Sequence, residues 1–357
     1  LGVEGHLHGR RPWLYYHHLT KKPLARLVGA KPSEVVAMNQ LTVNLHVMLT
    51  AFYRPTAQRF KIITEAGAFS SDQYAVASQI RLRGRNPEEV LVELAPRAGE
   101  RFLRNEDILN AIRTQGNQLA LVLFGGVQYY TGQFFDLKSI TAAAHAAGAY
   151  AGFDLAHAAG NVPLNLHNDG ADFAVWCSYK YLNSGPGSVA GAFVHERHAQ
   201  TDLPRMAGWW GHRERDRFKM KSEFIPMPGV DGWQLSNFPV LTGAAHLASL
   251  DIFEQAGIVA LRKKSVKLTG YLEKLLQAID PKNEVFTIIT PRDPAERGCQ
   301  LSILMSPPRG LRVFKAISRK GVIADWREPD VIRVAPVPLY NSFEDVWRFA
   351  TIFENSV

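Results

Sequence analysis

The sequence predicts an α/β fold with a mostly parallel sheet over its first two thirds, followed by a smaller α+β unit. Three observations carry this expectation. Strand-length apolar runs alternate with helix-period segments as far as Val194. One run, Leu119-Ala120-Leu121-Val122-Leu123-Phe124, is apolar at every position and is bounded by Gly125-Gly126, the pattern of a strand buried on both faces. Beyond residue 240 the order changes to two long helical patterns and then a group of short strands.

In chain order, residues 5–23 are rich in His, Tyr and Pro and read as irregular. Pro32-Ser33-Glu34 sets up a short strand at 35–38. Thr42 stands where that strand hands over to an apolar helix at 43–51. Its hydroxyl is either a plain N-cap or a phosphate ligand, since free N–H groups and the helix dipole favour an anion there. A strand at 60–65 ends at Ala66-Gly67-Ala68-Phe69-Ser70-Ser71-Asp72, ahead of a helix at 73–81. An aromatic beside two hydroxyls and a carboxylate suits stacking on and bonding to a ring; Ser71 or Asp72 also suits a helix cap. Strands are expected at 89–94, 119–124, 149–153, 171–178 and 189–194, with helices at 104–114 and 137–147. Residues 205–228 are loop-rich, aromatic and basic. Helices at 242–255 and 259–279 precede strands at 285–290 and 300–305, a helix at 311–319, strands at 321–324 and 331–335, and a helix at 342–354. The change of pattern near 238–242 predicts domains at 1–240 and 241–357. Ligands of such sheets bind beyond the strands' carboxyl ends, where Thr42, Asp72, Asp154 and Lys180 all fall.

Composition narrows the class. At 357 residues the chain can bury a sizeable core. No apolar run reaches the roughly 18 residues of a membrane span. Cys177 and Cys299 are far apart and lack metal-ligand spacing, so neither a disulfide scaffold nor a zinc site is expected, and a reducing, cytoplasmic setting is. The opening Leu1-Gly2-Val3-Glu4-Gly5-His6 lacks a Met and does not look like a signal peptide, so an upstream segment is expected to be missing. The net charge of +8 clusters at 205–221 and 262–267. No nucleic-acid motif accompanies it, which favours a solvated face and small anionic ligands.

The chemistry centres on Trp176-Cys177-Ser178-Tyr179-Lys180-Tyr181-Leu182-Asn183. A lysine at the carboxyl end of a core strand is costly to desolvate unless it has a partner or a covalent role. One crossover earlier, Phe153-Asp154-Leu155-Ala156-His157-Ala158 delivers a carboxylate from another strand. A lysine that forms a Schiff base and a carboxylate that keeps a pyridine nitrogen protonated are what pyridoxal phosphate requires, together with a flat ring contact and phosphate anchors. Lys180 and Asp154 meet the first two needs. His157 orients Asp154, lies near the cofactor ring, or is a satisfied core histidine. Tyr179 is either a proton carrier or a phosphate anchor.

These frames, with Arg333-Val334-Ala335-Pro336-Val337-Pro338-Leu339-Tyr340-Asn341, Met38-Asn39-Gln40-Leu41-Thr42-Val43-Asn44 and Glu296-Arg297-Gly298-Cys299-Gln300-Leu301, resemble the kynureninase family, its eukaryotic-type members in particular. The resemblance runs along essentially the whole chain. It implies the aspartate-aminotransferase-like fold type I, with a seven-stranded type of sheet and a small C-terminal domain. It also implies a homodimer whose sites lie between subunits. By the same resemblance Lys180 holds the cofactor and Asp154 meets its ring nitrogen. Phe69 stacks on the ring beside Ser70, Ser71 and Asp72. Leu41, Thr42 and Tyr179 match cofactor and phosphate contacts. Trp209 and Asn237 match residues that reach the cofactor of the other subunit. Arg333 matches the grip on a substrate α-carboxylate, and His6, Ser236 and Asn237 match positions near its aromatic ring. Gly125 stands where relatives usually carry a hydroxyl, leaving only its backbone to help. The implied activity is hydrolysis of L-kynurenine or 3-hydroxy-L-kynurenine to an anthranilate and L-alanine, in tryptophan catabolism and NAD biosynthesis. The alternatives are an aminotransferase or a cysteine desulfurase of the same fold group.

Overall fold

The computed structural model describes residues 2–357. They form two compact units. The first holds the chain up to Ala95, Arg104–Gly126 and Asp136–Gln255; the second holds Pro96–Leu103, Val127–Phe135 and Ala256–Val357. Sequence pattern alone puts the change at 240/241. The structure keeps the following helix with the first unit, because its His246 and Ser249 side chains bond Ser184 and the Leu182 carbonyl.

The first unit contains α1 (His18–Val28), β1 (Val35–Ala37), α2 (Leu41–Phe52), β2 (Lys61–Glu65), α3 (Ser70–Leu82), the single turn α4 (Pro87–Val90) and β3 (Leu91–Leu94). It continues with α5 (Asn105–Gln115), β4 (Leu119–Gly125), α6 (Leu137–Ala146), β5 (Tyr150–Asp154), the turn α7 (Leu166–Asp169), β6 (Phe173–Trp176), β7 (Gly191–Val194) and α8 (Val240–Ala256). The strands make one sheet in the order β1-β7-β6-β5-β4-β2-β3. Strands β6, β5, β4, β2 and β3 are parallel, and β7 runs against both β6 and β1. β1 therefore points with the parallel set, and the carboxyl ends of β1, β2, β5 and β6 share one edge.

Packing follows from residue type. β4 is buried from Leu119 to Phe124. Phe52 of α2 stacks on Phe173 at 4.9 Å and meets Tyr150 edge-on at 5.3 Å; burying such a ring stabilises by roughly 2 kcal/mol. Asn44, fully buried, donates to the carbonyls of Met38 and Gly191, which fixes the start of α2 against β1 and β7.

The second unit has a four-stranded antiparallel sheet, β10-β11-β9-β8, made of β8 (Phe286–Ile288), β9 (Leu301–Met305), β10 (Asp325–Arg327) and β11 (Val331–Val334). Helices α9 (Ile258–Ile279), α10 (Gly310–Arg319) and α11 (Phe343–Glu354) bury Leu268, Leu272, Val313, Ile317 and Phe353 with Ile303 and Ile332 of the sheet. Ser342 caps α11 reciprocally with Asp345, as a capping box should. No helix of the described residues is long and apolar enough to cross a membrane.

Three local expectations are corrected. Residues 18–28 form a helix instead of an irregular stretch: Pro23 lies inside it, but its neighbours Leu24, Ala25, Leu27 and Val28 are buried and offset proline's cost of about 3 kcal/mol. The strand expected at 321–324 lies later, at Asp325–Arg327, where it can pair with β11. The strand expected at 171–178 is β6 alone, so Cys177 to Lys180 are released into a loop.

Asp172 ties this framework together. Its buried carboxylate accepts from the Ala151 N–H at 2.7 Å and pairs with His145 and His198, each at 2.8 Å. These partners overcome the burial penalty and hold its carboxyl down at about 2. Because the folded value lies below the unfolded one, this stabilisation is present above about pH 4 and is lost as pH falls towards 2. Asp172→Asn is expected to lower stability at neutral pH by about 2 kcal/mol, measured by urea unfolding. The deficit should shrink below about pH 4; a deficit that ignores pH would show that charge is not the cause.

Candidate active site

At the shared edge of the first unit's sheet, β5 ends in Asp154 and the turn beyond it carries His157. Neighbouring β6 feeds the loop that carries Lys180. The Lys180 amine lies 3.2 Å from His157 Nε2 and 5.5 Å from the centre of the Phe69 ring. Phe69 is the N-cap residue of α3, so Ser70, Ser71 and Asp72 form that helix's first turn. This corrects the cap expectation: the helix starts three residues earlier than its apolar period indicates. Gln40 likewise occupies the N-cap of α2, placing Leu41 and Thr42 in its first turn. The Thr42 and Ser71 hydroxyls are 2.8 Å apart. Two helix N-termini thus meet at one point, each with free N–H groups and positive dipole.

The electrostatics are those of crowded acids. Asp154 is buried and its Oδ1 accepts the Ala156 N–H at 2.7 Å. Burial raises its carboxyl, while that N–H and the Lys180 charge act the other way. Asp72 is pushed well above the usual carboxylate range by burial and then by the Asp154 charge. Both carboxyls are thus raised, and of the two Asp72 is pushed up by the Asp154 charge while Asp72 acts to lower Asp154. Tyr179 is half exposed, and its phenol is pushed up to about 12 by loss of solvent and by the Cys177 thiol, so it stays protonated. Ser178 Oγ, buried beside Lys180 in sequence, has no hydrogen-bond partner among the described residues.

One residue was missed by sequence reasoning. Glu65 ends β2, is buried, and accepts the Gly125 N–H at 3.2 and 3.3 Å through its two oxygens. Burial pushes its carboxyl up to about 7. With Asp72, Gly125 and Asp154 it lines a cavity of about 320 Å³. The available signal was an acid closing an apolar strand four residues before Phe69.

The remaining candidates keep other company. Arg333 lies in the second unit, on β11. Its guanidinium donates to the Tyr129 carbonyl and to Asp325, its cross-strand partner on β10. His6 is exposed and packs edge-on against Trp13 at 5.5 Å. Trp209, 40% exposed, donates to the Arg217 carbonyl at 3.0 Å and touches Trp210 and Phe218. Ser236 and Asn237 are exposed. Within the described chain these four have no hydrogen bond or ring contact to Lys180.

A buried carboxylate at the end of β5 and an amine on the loop that follows the neighbouring parallel strand β6, an aromatic face at the amine, paired helix N-termini and an unpartnered buried hydroxyl together fit pyridoxal phosphate. They define the class: a pyridoxal-phosphate enzyme on the class-V aminotransferase fold. That family matches residues 18–299, and the kynureninase C-terminal domain matches residues 261–353. The chain is 60% identical to a kynureninase of Myxococcus xanthus (strain DK1622) over 99% of its own length and 83% of the relative's. It is 57% identical to one of Xanthomonas campestris pv. campestris (strain B100) over 97% and 82%. The chain belongs to the kynureninase family, whose reaction is pyridoxal-phosphate-dependent hydrolysis of a carbon–carbon bond. The solved cysteine desulfurase of Thermococcus onnurineus NA1 has a TM-score of 0.79 at 16% identity, covering 96% of this chain and 83% of that one. The cystine C–S lyase C-DES gives 0.78 at 16%, covering 96% and 87%. These two share the fold alone, and both cysteines here are buried, unlike a thiol that must carry sulfur out to an acceptor.

Gly160 governs the turn after Asp154. Its φ is +82°, and a Cβ there would lie 2.9 Å from Leu182 Cδ2 and 3.0 Å from the Tyr181 carbonyl, just beyond Lys180. Gly160→Ala is expected to destabilise the chain by about 2 kcal/mol and to lower cofactor loading. Thermal melting and the visible absorbance of bound cofactor check this; an unchanged melt and spectrum would show that the turn tolerates the methyl group.

Proposed function

We propose that the chain hydrolyses L-kynurenine, 3-hydroxy-L-kynurenine or both to anthranilate or 3-hydroxyanthranilate plus L-alanine. The observation that carries the reading is Asp154 at the end of β5 and Lys180 on the loop after the neighbouring strand β6, in a chain 60% identical to a kynureninase. Bound through Lys180, pyridoxal phosphate supplies an electron sink for charge developing next to the amino group.

The chain's own residues do the rest. Lys180 would hold the cofactor and, when its amine is free, would serve as the base that moves the Cα proton, with His157 at 3.2 Å placed to exchange protons with it. Asp154, kept anionic by the Ala156 N–H and by the Asp72 proton, holds the ring nitrogen protonated. Phe69 provides the flat contact. Thr42 and Ser71 anchor the phosphate with Leu41, Ser70 and the backbone of Gly125 nearby. Water adds to the side-chain carbonyl, its oxygen ending in the carboxylate of the anthranilate, and Tyr179, protonated throughout the working range, would donate a proton as the carbon–carbon bond breaks. Arg333, aimed by Asp325 and the Tyr129 carbonyl, grips the α-carboxylate.

Trp209 and Asn237 serve the site of a second copy in a homodimer, and His6, Ser236 and Asn237 meet the substrate's ring. Their exposure, and that of Met206 and Phe218 near Trp209 in the chain, supports this. The products place the reaction in tryptophan catabolism and NAD biosynthesis. Two free, buried cysteines suit the cytoplasm.

Product analysis tests the reading: alanine and an anthranilate should appear in equal amounts, and absence of alanine would sink it. Asp154→Ala should lower kcat by about 100-fold or more, and near-normal turnover would refute its role. Arg333→Ala should raise KM about 100-fold while leaving the visible absorbance of bound cofactor intact; loss of cofactor would show that Arg333 serves the cofactor instead.

A further inference from the structure

Glu65 is the buried acid for which the reaction above has no use. Its position is fixed by geometry. β2 ends beside β4, and the Gly125 N–H at the end of β4 donates into both Glu65 oxygens. Gly125 is the register partner of Asp154 on β5. Glu65 thus lies two strands from Asp154 along the same edge, with β4 between them, and both line one cavity. The titratable groups that line the cavity with Glu65 are Asp72, Tyr74 and Arg81 from α3, Glu93 from β3 and Asp154 from β5, while β4 brings only Leu123, Phe124 and Gly125. The strongest influences on it are burial, nearby N–H groups, the Thr64 hydroxyl and the Asp154 charge, none of them a cation. Lys180, by contrast, acts on both Asp72 and Asp154.

We propose that Glu65 is a positioning residue for the cofactor's ring nitrogen, acting through Asp154: its proton sets how much negative charge the buried edge presents. With Glu65 protonated, Asp154 is the anion of the group. With Glu65 ionised, a second negative charge stands behind Asp154 and strengthens the hold on a protonated ring nitrogen. Burial places this change near neutrality, at about pH 7. The folded carboxyl is raised above its unfolded value, so the neutral form persists to higher pH than for an exposed glutamate. The inference rests on the assignment of Asp154 to the ring nitrogen.

The test is a titration of apo-protein with pyridoxal phosphate, followed by cofactor absorbance, for wild type and Glu65→Gln. Glutamine keeps an acceptor for the Gly125 N–H but cannot ionise. Between about pH 6 and about pH 8.5, wild type should gain at least about threefold in affinity relative to the variant. A wild-type-to-variant ratio that stays constant with pH, or moves the other way, overturns the proposal, whatever the variant's affinity at either pH. If Glu65→Gln does not fold, Glu65→Asp replaces it. Aspartate keeps the charge but withdraws it from Gly125, so the pH at which affinity changes should shift from the wild-type one, and an unmoved midpoint overturns the proposal. Asp154→Asn separates the two readings. Near-normal turnover there defeats the Asp154 assignment, whereas a pH-independent ratio in Glu65→Gln with Asp154→Asn inactive defeats only the role of Glu65.

Discussion

Three carboxyl groups crowded together, Glu65 and Asp154 buried at the ends of two strands and Asp72 half-buried in the first turn of α3, impose the constraint on which the site depends. Glu65, Asp72 and Asp154 cannot all be ionised there, since removing an unpaired carboxylate from water costs several kcal/mol. The fold resolves this by ranking them. Burial raises Asp154, but the Ala156 N–H and the Lys180 charge favour its anion. Asp72 faces that anion and keeps a proton. A cationic ring nitrogen is the remaining partner that Asp154 can use. The edge is therefore a receptor for a buried positive charge before any substrate is considered. Like charges pushing neighbouring acids to opposite protonation states is the usual physical basis of acid–base sites.

That receptor works only if Lys180 is held in place, and Lys180 is on a loop. β6 stops at Trp176, so no ladder bonds restrain the next four residues. The restraint comes from behind. α8 reaches the segment through Ser249 to the Leu182 carbonyl and through His246 to Ser184 at 2.8 Å. Burial drops His246 to about 4, so it is neutral at working pH and can accept from the serine hydroxyl. Gly160 closes the opposite side, because only a residue without a Cβ fits its φ of +82° against Tyr181. A helix, a turn and a loop from distant parts of the chain thus converge on one amine.

What was legible in the sequence follows the same physics. β4 and the alternation of strand and helix were readable because burial on both faces leaves no polar residue in the run. Asp154 and Lys180 were readable because a charged residue ending an apolar strand contradicts its surroundings. α1 was not, because Pro23 and the surrounding histidines disguise an apolar face that only tertiary packing reveals. The start of α3 was placed three residues late because Phe69, a large apolar residue, occupies the cap position that hydroxyl residues usually take. Glu65 obeyed the same rule as Asp154, but the next stretch, from Phe69 to Asp72, offered a richer set of polar groups and drew the reading away from it.

The residues proposed to choose the substrate differ in kind from those proposed to hold the cofactor. A strand-end acid or amine is conspicuous because the fold makes its burial expensive. His6, Ser236 and Asn237 are exposed, so nothing in periodicity or burial distinguishes them from ordinary surface residues. Arg333 is an exception that shows why: it is nearly buried, yet Asp325 neutralises it across the strand pair, so its charge looks satisfied within its own unit. Such an arginine is pre-aimed at low cost, since its orientation is set before a carboxylate arrives. Chemistry that is costly for the fold leaves a mark in the sequence. Recognition that is cheap for it leaves almost none, and the choice between kynurenine and its 3-hydroxy form belongs to that second kind.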